Sequence, residues 1–101
     1  MADRELLELA AKAAGGQFDS GHFSRDGREW DEWNPLTDDG DALRLAVKLG
    51  ITVHSDSTFG CTTADIWNIS LCESHGDDAN AATRRAIVRA AAEIGKVMPC
   101  A

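Results

Sequence analysis

The sequence predicts an α+β fold in which an antiparallel sheet is covered by helices, in the manner of a sandwich. Three segments have the three- and four-residue apolar spacing of helices, and the two stretches between them carry hairpin signals. The expected element order is therefore α-β-β-α-β-β-α, without a repeat or a low-complexity linker. With 101 residues, of which 44% are apolar, the chain is expected to form a single domain over residues 1–101.

The first helix is predicted from about residue 3 to residue 14. Asp3 is its expected N-cap, and Gly15 is expected to end it. Its apolar stripe comprises Leu6, Leu7, Ala10, Ala13 and Ala14.

A hairpin is predicted around Asp26-Gly27. A two-residue type I′ turn there would place Phe23 directly across from Trp30. This aromatic pairing favours a core position for Trp30, whereas Trp33 is equally open to burial and to exposure.

Residues 33–50 predict a sharp corner from a strand into a second helix. Pro35 favours an extended Asn34, and Thr37 is the expected N-cap of a helix over about residues 38–49. Gly50 stands at the left-handed position after that helix. The aspartates that load the positive end of the helix dipole are Asp38, Asp39 and Asp41. The predicted buried stripe comprises Ala42, Leu45, Ala46 and Leu49, widened by Leu43 and Val47.

A second hairpin and a closing helix complete the predicted fold. The hairpin has its turn at residues 59–63, and the closing helix runs from an N-cap at Asp77 or Asp78 to about Lys96. Small apolar residues would let the closing helix lie close to whatever it covers. The inward residues of the hairpin are expected to be Ile51, Val53 and Phe59 on its first strand and Trp67, Ile69 and Leu71 on its second.

The charge and the cysteines limit the partners and the compartment. With 17 acidic and 10 basic residues the formal net charge is −7, which disfavours direct nucleic-acid binding and favours a basic partner. Cys61, Cys72 and Cys100 are odd in number and lack a paired spacing, which indicates a reducing cytoplasm, with a Cys61 to Cys72 bridge left open. No stretch resembles a membrane span or a signal peptide, so we expect an intracellular, soluble protein without a membrane partner.

The sequence carries no assembled motif for catalysis or metal binding. Two cysteines and two histidines would supply zinc ligands if the fold brought them together, but no C-x-x-C or H-x-x-H spacing supports such a site. These residues are Cys61, Cys72, His54 and His75. We therefore predict no enzymatic activity, no catalytic residues, no metal and no cofactor.

Two sets of residues are candidates for binding. The first is an acidic surface with a tryptophan anchor that would meet a basic protein partner: Glu29, Asp31, Glu32, Trp33, Asp38 and Asp39. Helix N-terminal charge and solubility are the simpler explanation for most of these carboxylates. The second set would hold an anionic ligand at an oligomer interface: Trp33, Arg85 and Arg89. The alanine-rich faces of the first and last helices leave room for a homodimer.

Three stretches, "WNPLTDDGDALRLAVKLG", "DIWNISL" and "ATRRAIVRAAAEIG", resemble the phage ABA sandwich domain family. They are similar to that family's aromatic-Asn-Pro-x-Thr-Asp approach to a helix, its Trp-containing strand and its alanine-rich closing helix. The resemblance covers residues 30–95, and "SDSTFGCTT" departs from it. It implies a bacteriophage or prophage origin and helices around a sheet. The family has largely unassigned chemistry, so it supplies no catalytic residues.

Together these observations predict a non-enzymatic phage accessory protein that acts by binding in the host bacterial cytoplasm. The leading hypothesis is an inhibitor of a bacterial anti-phage defence protein, such as a CRISPR effector, or of a regulatory protein, through an acidic surface. One alternative is a small-ligand binder that sequesters a nucleotide immune signal at an oligomer interface. The other alternative is a phage structural or assembly protein.

Overall fold

Three helices alternate with two groups of strands in the computed structural model, which describes residues 2–99. The elements are α1 Asp3–Ala13, β1 Gln17–Asp19, β2 His22–Ser24, β3 Asp31–Glu32, α2 Asp39–Leu49, β4 Thr52–Asp56, β5 Cys61–Ile66, β6 Ile69–Ser74 and α3 Ala79–Val97. Strands β1-β2-β3 form sheet A and β4-β5-β6 form sheet B, both antiparallel. The predicted α+β class and the order α-β-β-α-β-β-α are confirmed, but each predicted hairpin is a three-stranded sheet. The turn predicted at residues 59–63 lies at residues 57–60, and the strand predicted to follow it is divided into β5 and β6. No helix within residues 2–99 has the length and apolar character needed to cross a membrane.

Helix α3 is the centre of the core, because it contacts α1, α2 and all three strands of sheet B. Its small residues allow this close approach, as predicted: Gly95 lies so near α1 that an added Cβ would overlap the Leu9 carbonyl group. The alanine-rich faces expected to serve self-association instead pack inside one chain, since Ala10 and Ala90 are fully buried. The N-cap of α3 is Asp78, whose carboxylate accepts the Ala81 N–H at 3.0 Å.

Sheet B has one covered face and one open face. Thr62, Ala64 and Ile66 of β5 are buried on the α3 side. The residues between them point the other way and are polar, as are their neighbours across the sheet. This open face comprises Thr52, His54, Asp56, Cys61, Thr63, Asp65, Ser70, Cys72 and Ser74.

Two aromatic residues predicted to point inward in the second hairpin are exposed. Trp67 and Asn68 form the two-residue turn between β5 and β6, and Trp67 is 69% exposed with a left-handed φ of 49°. Phe59 lies in the turn between β4 and β5 and is 81% exposed. Both predictions were wrong because they assumed that side chains alternate between the two faces at residues 59 and 67. These residues lie in turns, where the strand pleat no longer sets side-chain direction.

The first hairpin turns at Ser20-Gly21 instead of Asp26-Gly27. Ser20 and Gly21 both have positive φ, 49° and 81°, as a type I′ turn requires. Phe23 therefore pairs with Phe18 on one side and Asp31 on the other, so its predicted pairing with Trp30 is wrong.

Asp26 explains why the Asp-Gly signal forms a wider loop. Its Oδ1 accepts the backbone N–H groups of Arg28 at 2.8 Å and Glu29 at 3.2 Å, which replaces the backbone bonds of a tight turn. These bonds, with that from Arg28 first, hold the pKa of Asp26 below its usual value. Trp30 ends this loop and is 38% exposed, so the expected core position is wrong.

The corner before α2 forms as predicted but has a different cap. Asp38 is the N-cap and accepts the Asp41 N–H at 2.8 Å, whereas the Thr37 hydroxyl donates to the Asn34 carbonyl at 3.4 Å. The choice of Thr37 was wrong because Asp38 is the residue with extended backbone one position before the first helical turn. The Asn34 N–H is also used, since it donates to Asp41 Oδ2 at 2.9 Å.

The two remaining helix predictions differ in their outcome. In α2, Ala42, Leu45 and Ala46 are buried and Gly50 has a left-handed φ of 68°, as expected. Leu43 and Val47 do not widen the stripe, because they are 63% and 73% exposed. In α1 the N-cap is Ala2 and not Asp3, which is the first helical residue and pairs with Arg85, while Gly15 ends the helix with a φ of 88°.

Candidate binding surfaces

Sheet A presents a group of exposed carboxylates that we call the acidic edge: Asp19, Glu29, Asp31 and Glu32. Asp31 and Glu32 form β3, which is an edge strand of its sheet. Within residues 2–99 none of the four forms an ion pair. Most carboxylates elsewhere are paired, for example Asp3 with Arg85 and Glu93 with Lys96. Sheet A and its loop therefore carry four exposed carboxylates without an ion-pair partner in residues 2–99, with Arg25 lining one depression together with Glu29 and Asp31.

An open depression of about 410 Å³ adjoins the acidic edge and is lined by Asp19, Ser20, His22 and Trp30. The strand register places Asp19 and Glu32 on either side of His22, on the face that points away from the core. His22 Nδ1 lies 3.0 Å from the Ser20 carbonyl oxygen, which can only accept, so this nitrogen carries a proton. An aromatic face and carboxylates together suit a lysine or arginine side chain.

The predicted anchor Trp33 is less accessible than Trp30. Trp33 is half-buried, with its ring centroid 5.2 Å from that of Phe23 and 6.1 Å from that of Phe18. This aromatic cluster attaches sheet A to the core, so most of the indole is used inside the chain. Trp30 is therefore the more accessible of the two tryptophans, and the role of Trp33 as an anchor stays a prediction.

Asp38 and Asp39 form a separate acidic group at the start of α2. Asp38 caps the helix, and its Oδ2 lies 3.9 Å from an Arg44 nitrogen. Asp39 pairs with Arg84 at 2.5 Å. Both aspartates remain largely exposed, but much of their charge is compensated by these arginines.

The alternative ligand set of Trp33, Arg85 and Arg89 is spread over separate surroundings. Arg85 donates to Asp3 of α1 at 2.9 Å. Arg89 pairs with Glu73 of β6, while Trp33 lies in the aromatic cluster of sheet A. Each arginine already has a carboxylate partner within the chain, so an anion would have to displace it.

A cleft that the sequence did not reveal lies between α2, α3 and β4, with a volume of about 360 Å³. Its lining is mainly apolar, with hydroxyls from Ser55 and Thr83 and the guanidinium of Arg84. Arg84 also donates from Nε to the Leu36 carbonyl at 2.8 Å, which ties α3 to the corner before α2. The remaining lining residues are Asp39, Ala42, Leu43, Val53, Asn80 and Ile87.

A hydrogen-bond network centred on the buried hydroxyl of Thr62 connects this cleft to His75. Thr83 donates its only hydroxyl proton to the Ala79 carbonyl at 2.8 Å, so it accepts from Thr62 at 2.7 Å. Thr62 has then used its own proton, and His75 Nε2, 2.8 Å away, must donate to it. A nitrogen that donates cannot deprotonate Ser55, which lies 3.4 Å from the same atom. The network therefore stabilises the fold in this protonation state and provides no activated nucleophile.

The cysteines and histidines considered as zinc ligands are divided between the two faces of sheet B. Cys61, Cys72 and His54 lie on the open face, whereas His75 bonds to buried Thr62 on the other. No group of three metal-ligating side chains occurs among residues 2–99. Cys100 lies outside the described residues.

Cys61 and Cys72 are free thiols on diagonal positions of β5 and β6. Diagonal neighbours in a sheet are about 7–8 Å apart, beyond the usual Cα separation in a disulfide, so the bridge left open by the sequence would need backbone movement. A hydrogen bond with Cys72, burial and the nearby charge of Asp56 raise the pKa of Cys61, which keeps it a weakly reactive thiol.

Comparisons of the chain with known protein families, with curated proteins and with solved structures gave no match.

Proposed function

We propose that this is a non-enzymatic phage accessory protein that binds a bacterial protein with a basic surface. Its most direct role would be to inhibit an anti-phage defence protein, such as a CRISPR effector, or a regulatory protein in the host cytoplasm. The phage origin rests on the sequence resemblance over residues 30–95. The observation that supports the binding role is the acidic edge: its four carboxylates are exposed and form no ion pair within residues 2–99, and one of them, Asp19, lines a depression together with Trp30.

Uncompensated charge acts over a longer distance than paired charge. A basic partner would be steered toward sheet A, because many of the helix carboxylates are paired with an arginine or a lysine. Trp30 would then supply the apolar and cation-binding contact that charge alone lacks. Carboxylates on the acidic edge would occupy the same basic side chains that bind phosphates. The expected partner is therefore a protein that itself binds nucleic acid or nucleotides.

Protection of an edge strand is the structural alternative for these charges. Charged side chains on short edge strands prevent unwanted pairing, and Asp31 and Glu32 would serve this purpose. That explanation does not extend to Glu29 and Trp30, which lie outside the strand and are exposed. The partner-binding proposal accounts for Glu29 and Trp30 as well as for the two residues of the edge strand.

The test begins with affinity capture of partners from bacterial lysate, followed by association kinetics with the purified partner. The double variant Asp31→Lys/Glu32→Lys should slow association at least tenfold at low salt, with a smaller effect at high salt. The matched control is Glu5→Lys/Asp77→Lys, which changes the net charge equally at two exposed carboxylates that, within residues 2–99, form no ion pair and line no depression of sheet A. Equal on-rates for the two variants, or capture of no partner by the unmodified protein, would refute the proposal.

The cleft between α2, α3 and β4 supports a second candidate function, the binding of a small anionic ligand. Asn80 and Arg84 offer donors beside an apolar wall, and a nucleotide would place its polar groups on these donors and its base on the wall. Native mass spectrometry of gently purified protein should then show a retained ligand that Asn80→Ala removes and Arg85→Ala does not. Ligand-free protein that also fails to bind added nucleotides would eliminate this candidate.

A further inference from the structure

Strand β4 is an edge strand of sheet B, and two of its residues have backbone groups without a partner among residues 2–99. The His75 N–H donates to the Gly60 carbonyl at 2.8 Å. Gly60 and His75 continue the β5-β6 register by one residue, so they form a hydrogen-bonded pair of the antiparallel ladder. Such pairs alternate along a ladder, so Cys61, Thr63 and Asp65 of β5 bond in the opposite direction, toward β4. Their partners on β4 are Asp56, His54 and Thr52. The N–H and C=O groups of Val53 and Ser55 therefore point away from the sheet.

These free groups are complementary to a second copy of themselves. In an antiparallel pair of β4 strands with a two-fold axis at His54, Val53 lies opposite the second copy's Ser55, and the reverse. The two pairs form four backbone hydrogen bonds with groups that the monomer does not use. An axis at Val53 would instead need the Ile51 N–H, which already donates to the Ala46 carbonyl at 2.9 Å. An axis at Ser55 would need Ser57, which lies in the turn beyond β4.

The side chains around this edge fit the same arrangement. Leu43 and Val47 lie one turn apart on α2 and are 63% and 73% exposed, and Val53 of β4 is 37% exposed. Leu43 and Val53 line the same cleft, and Val47 follows Leu43 one turn along α2, so the two-fold axis would bring this apolar group toward its copy. On the open face of the sheet, Thr52 lies opposite the second copy's Asp56, and no two carboxylates face each other directly.

We propose that the open edge of β4 is the interface of a symmetric homodimer, in which two copies of sheet B join into one six-stranded antiparallel sheet. The interface is independent of the acidic edge, which belongs to sheet A. The dimer and the partner-binding function can therefore fail separately.

Disulfide crosslinking tests the register. His54 would face its own copy in a pair without hydrogen bonds, where Cα atoms are about 4.5 Å apart, within the range of a disulfide. In a background with Cys61→Ser, Cys72→Ser and Cys100→Ser, the variant His54→Cys should form a covalent dimer under mild oxidation. The control Thr52→Cys lies on the same face of the same strand, but its copies would be about 13 Å apart along the strand, so it should stay monomeric in a denaturing gel.

Sedimentation of variants without cysteine changes tests the interface itself. The unmodified protein should be a dimer, and Val53→Pro should be a folded monomer, because it removes an N–H that only the dimer uses. Val47→Lys should also dissociate the dimer, whereas Val97→Lys, at a similarly exposed valine near the end of α3, should leave it intact. If Val53→Pro does not fold, Val47→Lys and the crosslinking pair decide.

Three results would overturn the proposal. The first is an unmodified protein that is monomeric at the concentration used for crosslinking. The second is a dimer that survives both Val53→Pro and Val47→Lys. The third is equal crosslinking through positions 52 and 54, which would show random collision and no fixed register.

Discussion

The two sheets have the same number of strands and the same sequential order, but the chain supports them in different ways. Sheet B lies directly on α3, with Thr62, Ala64 and Ile66 buried against the helix. Sheet A contacts α1 through β1 and is attached by the cluster of Phe18, Phe23 and Trp33. Sheet A is thus connected to sheet B through α1 and α3 in turn.

This difference assigns a structural role to sheet B and a binding role to sheet A. Sheet B packs on α3 and forms the scaffold, whereas sheet A has exposed charge on its edge strand and loop. Small strands of two or three residues cannot bury both of their faces, so their outward side chains are free to contact a partner. The comparison predicts that a substitution at the α1–α3 contact destabilises the whole domain, whereas a substitution in the aromatic cluster destabilises sheet A alone.

The largest effect is expected from Gly95→Ala, at the contact between α1 and α3. The added Cβ would overlap the Leu9 carbonyl, so α1 must shift, and we expect a loss of about 3 kcal/mol in the free energy of unfolding. Urea denaturation measures this loss. The control Gly40→Ala in α2 meets only flexible side-chain atoms of Arg44 and Asp38 at 3.2 Å, and should be neutral or stabilising. Equal stability of the two variants would show that α1 does not depend on this close contact.

Trp33→Ala should reduce stability by about 2 kcal/mol, less than the loss of a fully buried tryptophan. Because Trp33 packs on Phe18 and Phe23, the loss should be confined to sheet A. Amide hydrogen exchange would then be faster in β1, β2 and β3 and unchanged in β5 and β6. Uniformly faster exchange in both sheets would contradict the local attachment of sheet A. Trp67→Ala, at an exposed turn position, is the matched control.

Asp38→Ala should lower stability by about 1 kcal/mol through the lost N-cap of α2, the helix that follows sheet A. Thr37→Ala should have a smaller effect, because its hydroxyl makes one 3.4 Å bond to the Asn34 carbonyl. Thermal unfolding of the two variants side by side measures the difference. A larger loss for Thr37→Ala would reverse the assignment of the cap.

The smallest effect is expected at Asp26, in the loop that leads to the acidic edge. Its pKa is lowered in the folded state by backbone hydrogen bonds, first from Arg28 and then from Glu29. Its contribution is therefore complete above the pKa of the unfolded chain, about 3.9, and is lost as the pH falls through the lower folded pKa. The stability difference between the unmodified protein and Asp26→Asn should shrink as the pH falls below about 4. A difference that does not change with pH would show that the carboxylate charge is not what holds the loop.

Local signals predicted the helices well and the first group of strands poorly. Gly15, Gly50 and the aspartate before α3 marked helix ends correctly, because capping depends on a few adjacent residues. The choice between Ser20-Gly21 and Asp26-Gly27 as the turn could not be made locally, since both suit a hairpin. It was decided by Phe18 and Phe23, which must share one face to pack with Trp33.

Sequence reasoning also predicted part of the candidate site. Glu29, Asp31 and Glu32 are exposed as expected, because carboxylates without a partner remain in water. The exposed tryptophan and the cleft beside β4 were missed. Both depend on which residues of distant segments face each other.

The sequence by itself determined the α+β class, the approximate limits of the three helices, the acidic charge and the small residues that make α3 a close-packing helix. These properties follow from spacing, capping and composition, which act over a few residues. Only the tertiary structure decided the registers of the two sheets, the exposure of Trp30 and the open edge of β4. A one-residue change of register moves every side chain to the opposite face, so these features depend on long-range packing.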